Sequence, residues 1–171
     1  HGNSNRNRSL DRVIRSFARF PEKYSLDLYL VETDTRTLTE LRSLARATAN
    51  VRVLVPLPYE DLLNVLGDYD VGVFVTAPRT RNLQYSMPNK VFEYIQARLM
   101  LVVSPLEEVG RLVRTNALGV VLDDFSDAAL ERALENLTDE QVRIAKASVD
   151  RLALCEDSED SARRYLALMM P

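Results

Sequence analysis

The chain contains one cysteine, Cys155, and one histidine, His1, among 171 residues. A single thiol excludes an internal disulfide and suits a reducing compartment. With its one histidine at the very terminus, the chain lacks the parts for a zinc centre, a Ser-His-Asp triad or a Cys-His pair. No apolar run approaches the ~20 residues that a membrane-spanning helix needs, and no signal-peptide pattern is present. Basic charge is not in excess. Lys and Arg number 22 against 25 Asp and Glu, for a net charge of −3 and a pI near 5.3, which argues against a nucleic-acid partner. Any chemistry here must use carboxylates, cations, backbone groups or a second domain.

What is present is an ordinary globular composition, 46% hydrophobic and 27% charged. A chain of this length is one domain that buries about 70% of its unfolded surface. Apolar periodicity alternates between helix and strand. Leu10, Val13, Ile14 and Phe17 mark a helix near 9–19, and the alternation over Leu26–Val31 marks a strand. Helical spacing returns over Thr37–Ala49, followed by a β-branched run over Val51–Val55 and a short helix over Glu60–Leu66. Val71–Thr76 reads as a buried strand whose Gly72 signals close backbone approach. A loop over 77–87 follows, then a helix from Pro88, a strand over Leu101–Val103, a helix over Leu106–Asn116 and a strand over Gly119–Leu122. Helices near 127–136, 139–153 and 158–169 complete the chain as a helical C-terminal tail.

Strands separated by helices in this way imply right-handed βαβ units, hence a Rossmann-like doubly wound parallel sheet covered on both faces. The first eight residues read as a loop running straight into a helix, with no strand before it. Doubly wound sheets place a strand there, so the reading is of a longer protein cut at or just after a strand.

The most informative stretch is Ser86-Met87-Pro88-Asn89-Lys90-Val91-Phe92-Glu93-Tyr94-Ile95-Gln96-Ala97-Arg98-Leu99, leading into the apolar run Met100–Val103 and Ser104. Helical spacing puts Val91, Phe92, Ile95 and Leu99 on one face, with Lys90, Glu93 and Ala97 projecting on the other. Pro88 suits a first helical turn. On spacing alone, Lys90 and Glu93 make a solvated i,i+3 pair worth roughly 0.2–0.5 kcal/mol.

The full string Pro-Asn-Lys-x-Phe-Glu-Tyr-x-x-Ala, running into an apolar strand that ends in Ser, resembles the donor-site segment of GT-B-fold glycosyltransferases. It is similar above all to the family 4 group that builds bacterial surface glycans. The resemblance covers about residues 2–137. It implies that Glu93 accepts hydrogen bonds from the ribose hydroxyls of a nucleotide sugar, and that Lys90 lies near the phosphates or the transferred sugar. A second family carboxylate falls at Tyr85, which leaves Asn82, Gln84 or Asn89 for the sugar contact. Gly2-Asn3-Ser4-Asn5-Arg6-Asn7-Arg8-Ser9 is similar to the family's first donor loop, with Arg8 and then Arg6 as the residues matched to the diphosphate. Ser9 stands where a glycine is usual. The turn Pro56-Leu57 would lie against the nucleobase.

The resemblance further implies a UDP- or GDP-type nucleotide sugar, a hexosyltransferase acting with retention, and no metal. It implies a glycan or lipid-linked acceptor held by an N-terminal half that this chain lacks. The expected place is the cytoplasm, at the inner membrane face through that other half. Two other readings stay open: a sugar-nucleotide epimerase, which wants acid/base groups that are scarce here, and a non-catalytic nucleotide-sugar-binding or interaction module, which Tyr85 and Ser9 favour. Without the resemblance, the arginines are solvated terminal residues, Pro56-Leu57 is a proline-shaped turn, and Glu107 and Glu108 complement a helix dipole. Arg8→Ala is expected to weaken nucleoside diphosphates more than nucleosides, measured by titration calorimetry; equal loss for both would place Arg8 away from the phosphates.

Overall fold

The computed structural model describes residues 1–4 and 9–155, with side chains described through Leu152. Helices and parallel strands alternate as the periodicity predicts. The strands are β1 (Gly2–Asn3), β2 (Leu26–Val31), β3 (Val51–Leu54), β4 (Val71–Phe74), β5 (Met100–Val103) and β6 (Gly119–Val121). The helices are α1 (Leu10–Phe17), α2 (Thr35–Arg46), α3 (Tyr59–Leu66), α4 (Arg81–Tyr85), α5 (Asn89–Gln96), α6 (Glu107–Thr115), α7 (Asp127–Asn136) and α8 (Asp139–Cys155). The helix expected at 158–169 lies outside the described residues. Among the described residues, no helix is long and apolar enough to cross a membrane.

Every strand pair is parallel, but the expected sheet is present as two three-stranded halves, β1-β2-β3 and β4-β5-β6. The chain does open on a strand, contrary to the sequence reading. Gly2 pairs with Leu30 and Asn3 with Val31, and the Ser4 N–H continues the ladder to the Val31 carbonyl at 2.9 Å. Among the described residues β1 pairs with β2 alone, and no strand bridges β2 to β4.

Helices cover both faces. Leu26, Leu28 and Leu30 of β2, with Met100 and Val102 of β5, pack against α1, α2 and α7 through Ile14, Leu38 and Leu130. Leu101 and Val103 of β5 turn to the other face, where Val91, Ile95, Val109 and Val149 meet them. All four residues of β5 are at most 1% exposed, as a central parallel strand requires. Arg12 ties α1 to the start of α7, pairing with Asp127 and donating to the Phe125 carbonyl at 2.9 Å.

Local chemistry sets the boundaries. α2 starts earlier than its apolar period because Asp34 caps it, accepting from the backbone N–H groups of Arg36 and Thr37 at 3.1 and 3.2 Å. The loop 77–87 contains α4, capped by Thr80, whose hydroxyl accepts the Leu83 N–H at 3.2 Å. α5 and the residues just after it bury Val91, Ile95 and Leu99 as expected, but the inward face is rotated toward Tyr94 and Ala97 and away from Phe92. Tyr94 and Ala97 are buried at 4% and 5% exposure, while Phe92 is 38% exposed. Tyr94 fits because Gly72 on β4 has no side chain: a Cβ there would lie 2.4 Å from the Tyr94 ring, the close approach that Gly72 signalled.

Ser9, the residue before α1, has φ 51° and ψ 33° and makes no side-chain cap. That left-handed conformation favours glycine. Ser9→Gly is therefore expected to stabilise the fold by about 0.5–1 kcal/mol, read as a raised midpoint in urea with an unchanged m-value. A lowered midpoint would show that the serine side chain contributes more than the backbone strain costs.

Candidate functional site

In open α/β sheets, ligands bind outside the carboxyl ends of the strands. At that edge lie the end of β1, the 55–58 turn after β3, the segment after β4 and the start of α5. Two buried serines fix the edge. Ser104, after β5, accepts the Thr76 N–H at 2.9 Å, holding the chain beyond β4. Ser4, after β1, accepts the Thr33 N–H at 3.1 Å, holding the chain beyond β2.

α5 brings Lys90 and Glu93 to the end of β1. Gly2 has φ +129°, and a Cβ built on it would lie 2.5 Å from the Lys90 Nζ. The ammonium thus lies directly against the glycine backbone, in space that any other side chain would fill. One turn further along α5, Glu93 Oε2 lies 3.0 Å from His1 Nε2, with side-chain exposures of 13% and 8% for Glu93 and His1. The His1 ring stands edge-on to Tyr94, with centroids 5.5 Å apart, and the Tyr94 hydroxyl donates to the Val73 carbonyl at 3.3 Å. Burial, and to a lesser degree the nearby Glu93 charge, push the Tyr94 hydroxyl above its ordinary pKa. Tyr94 is therefore a neutral hydrogen-bond donor at physiological pH, not a base.

The result is a largely buried carboxylate one turn from a cation, at a helix start whose backbone N–H groups favour anions. Such a set can accept a pair of hydroxyls and face a phosphate. Among the described residues, no group of three or more His, Cys, Asp or Glu is placed to hold a metal ion.

The remaining sequence candidates are less closely gathered. Leu57 is partly buried against the apolar layer under α3 and α5, with Pro56 exposed beside it. Asn89 is exposed at the first position of α5, and Tyr85 is 53% exposed at the end of α4. Arg6 and Arg8 lie outside the described residues. Sequence reasoning missed His1, set aside as terminal. Its signal was adjacency to Gly2, the residue the donor-loop resemblance begins on.

No protein-family model matches the chain, and no curated protein matches it either. Solved structures do. WaaG, a glycosyltransferase involved in lipopolysaccharide biosynthesis, superposes with a TM-score of 0.60 at 15% identity, over 88% of this chain and 40% of that one. An α,α-trehalose-phosphate synthase (UDP-forming) from Burkholderia vietnamiensis gives 0.67 at 14% identity, over 97% of this chain and 43% of that one. The catalytic domain of cholesterol-α-glucosyltransferase from Helicobacter pylori gives 0.64 at 15% identity, over 91% and 95%. The chain thus spans about two fifths of the first two proteins and nearly all of the third domain. Its fold is that of a Rossmann-like domain of the GT-B glycosyltransferases.

Proposed function

We propose that this chain is the donor-binding half of a retaining glycosyltransferase that uses a UDP- or GDP-type nucleotide sugar. The observation that carries the reading is the pairing of Lys90 against Gly2 with Glu93 one turn later, at the carboxyl edge of the sheet. An ionised carboxylate accepting two adjacent hydroxyls makes short, charge-assisted bonds, which suits Glu93 to a ribose. His1 Nε2 lies 3.0 Å from Glu93 Oε2 without hydrogen-bonding to it, which leaves the carboxylate's acceptor capacity to a ligand.

Lys90, the start of α5 and the Arg6 and Arg8 loop would receive the diphosphate. Preorganised cations and backbone dipoles would stabilise it as it departs, without calling on a metal. Pro56 and Leu57 would border the base, with Asn89 and Tyr85 near the transferred sugar. The fold likeness to domains of glycosyltransferases supports the class. A glycan or lipid-linked acceptor, in the synthesis of a bacterial surface polysaccharide, would be held by a second, N-terminal half across the cleft. Alone, the chain would bind donor weakly and transfer nothing, since half a cleft positions no acceptor. The exposed tyrosine at position 85 favours a second reading, a non-catalytic nucleotide-sugar-binding module.

Glu93→Gln and Glu93→Ala are expected to reduce affinity for the matching nucleoside diphosphate by about 1.5–3 kcal/mol, roughly 10–100-fold, with Tm within a degree or two. If melting collapses in both variants while binding per folded molecule is unchanged, Glu93 serves the His1 contact and the ribose assignment fails. Binding without transfer, after the acceptor half is supplied, would favour the non-catalytic module.

A further inference from the structure

Negative charge follows most strands at the carboxyl edge of the sheets. Glu32 and Asp34 come after β2, and Glu60 and Asp61 open α3 after β3. Glu107 and Glu108 open α6 after β5, and Asp123 and Asp124 come after β6. β4 is the exception. From Val71 to Phe92 there is no Asp or Glu, while Arg79, Arg81 and Lys90 fall within that stretch. α5 likewise has no acid in its first turn, so its own sequence leaves the positive end of its dipole uncompensated. The end of β4 is therefore a cationic notch in an otherwise acidic rim. We infer that this notch receives a second anionic group besides the diphosphate: a carboxylate on the transferred sugar, as in a nucleoside-diphosphate uronic acid. The inference rests on the donor reading of Lys90 and Glu93, and it names the class of sugar that site takes.

α4 is held so that its side chains have fixed positions. Ser104 secures the root of the segment by accepting the Thr76 N–H at 2.9 Å. Thr80 caps the start of α4, its hydroxyl accepting the Leu83 N–H at 3.2 Å. The Ser86 hydroxyl closes the end, donating to the Leu83 carbonyl at 3.0 Å, and α4 packs against α6. Arg81 and Tyr85 are the first and last residues of this five-residue helix, so they lie one turn apart on the same side. Both are exposed. Among the described residues, Arg81 has no carboxylate partner. Its charge is not needed for the diphosphate, which Lys90 and the start of α5 already face.

The order of groups along the chain assigns the carboxylate to the sugar. Glu93, Lys90 and α4 follow one another back toward the N-terminus. A ligand with its ribose on Glu93 and its diphosphate beside Lys90 therefore carries its sugar toward α4. There the Arg81 guanidinium offers a planar pair of N–H donors that matches a carboxylate, and the Tyr85 hydroxyl offers a third donor. Tyr85 brings no charge of its own, whereas a carboxylate in its place would repel an acidic sugar. Asn82 and Gln84, exposed on the same short helix, supply neutral amides for the ring hydroxyls.

The test measures Kd by ligand-observed NMR for UDP, UDP-glucose and UDP-glucuronic acid, and for GDP, GDP-mannose and GDP-mannuronic acid. It uses the unaltered chain and the variants Arg81→Gln, Tyr85→Phe and Glu93→Gln. With the accepted base, the uronic conjugate is expected to bind roughly tenfold more tightly than its neutral counterpart. That preference is expected to shrink several-fold as salt rises from about 50 mM to about 500 mM, because the notch is exposed. Arg81→Gln is expected to bring the ratio to about one while Kd for the free nucleotide stays within about twofold. Tyr85→Phe is expected to cut the ratio by about threefold. Equal affinity for the two conjugates, or a preference that persists in Arg81→Gln, overturns the inference; the donor reading survives it if Glu93→Gln still weakens the nucleotide. No binding of any nucleotide, or binding indifferent to Glu93→Gln, overturns the donor reading and this inference with it.

Discussion

The site depends on Gly2 having no side chain. With φ +129° and the Lys90 ammonium where its Cβ would lie, this residue lets β1 and α5 approach closely enough for one helix to serve two strands' ends. Any other residue would push the ammonium away, adopt a strained backbone, or both. Lys90 and Glu93 are one turn apart on a rigid helix, so wherever the cation is held, the carboxylate follows. His1 lies against Glu93 from the strand side, 3.0 Å away. A single missing methyl thus couples a strand of one half-sheet to a helix packed on the other.

Beside this junction the two half-sheets flank a cavity. β5 is buried throughout, while β2 and β4 face each other across 440 Å³. The halves are held meanwhile by contacts at the margins: Arg12 to Asp127, the Lys23 amine to the Leu134 and Glu135 carbonyls at 2.8 and 2.9 Å, and Tyr29 with Tyr69 over Asp27.

Elements with strong periodicity were legible from the residues alone. β2 and α7 fall where alternation and helical spacing put them, because Leu26, Leu28 and Leu30, or Leu130 and Leu134, are buried in step with the period. What was missed lacked a period. β1 is two residues of Gly-Asn, poor strand formers paired only because the chain passes beside β2. α4 is a five-residue turn set by the Thr80 cap. On α5, helical spacing put Phe92 on the core face, but Gly72 made room for Tyr94 instead. Lys90 and Glu93 were singled out through the motif that carries them, whereas His1 reaches the candidate site by tertiary geometry that no spacing encodes.

The most direct measurement is saturation-transfer NMR on the folded chain with UDP, GDP, ADP and their common sugar conjugates. The account predicts a base-selective signal, strongest on the ribose protons and retained in the sugar conjugates. A folded sample that transfers saturation to none of these nucleotides, or equally to all of them without preference for the ribose, would contradict a donor site built on Lys90 and Glu93.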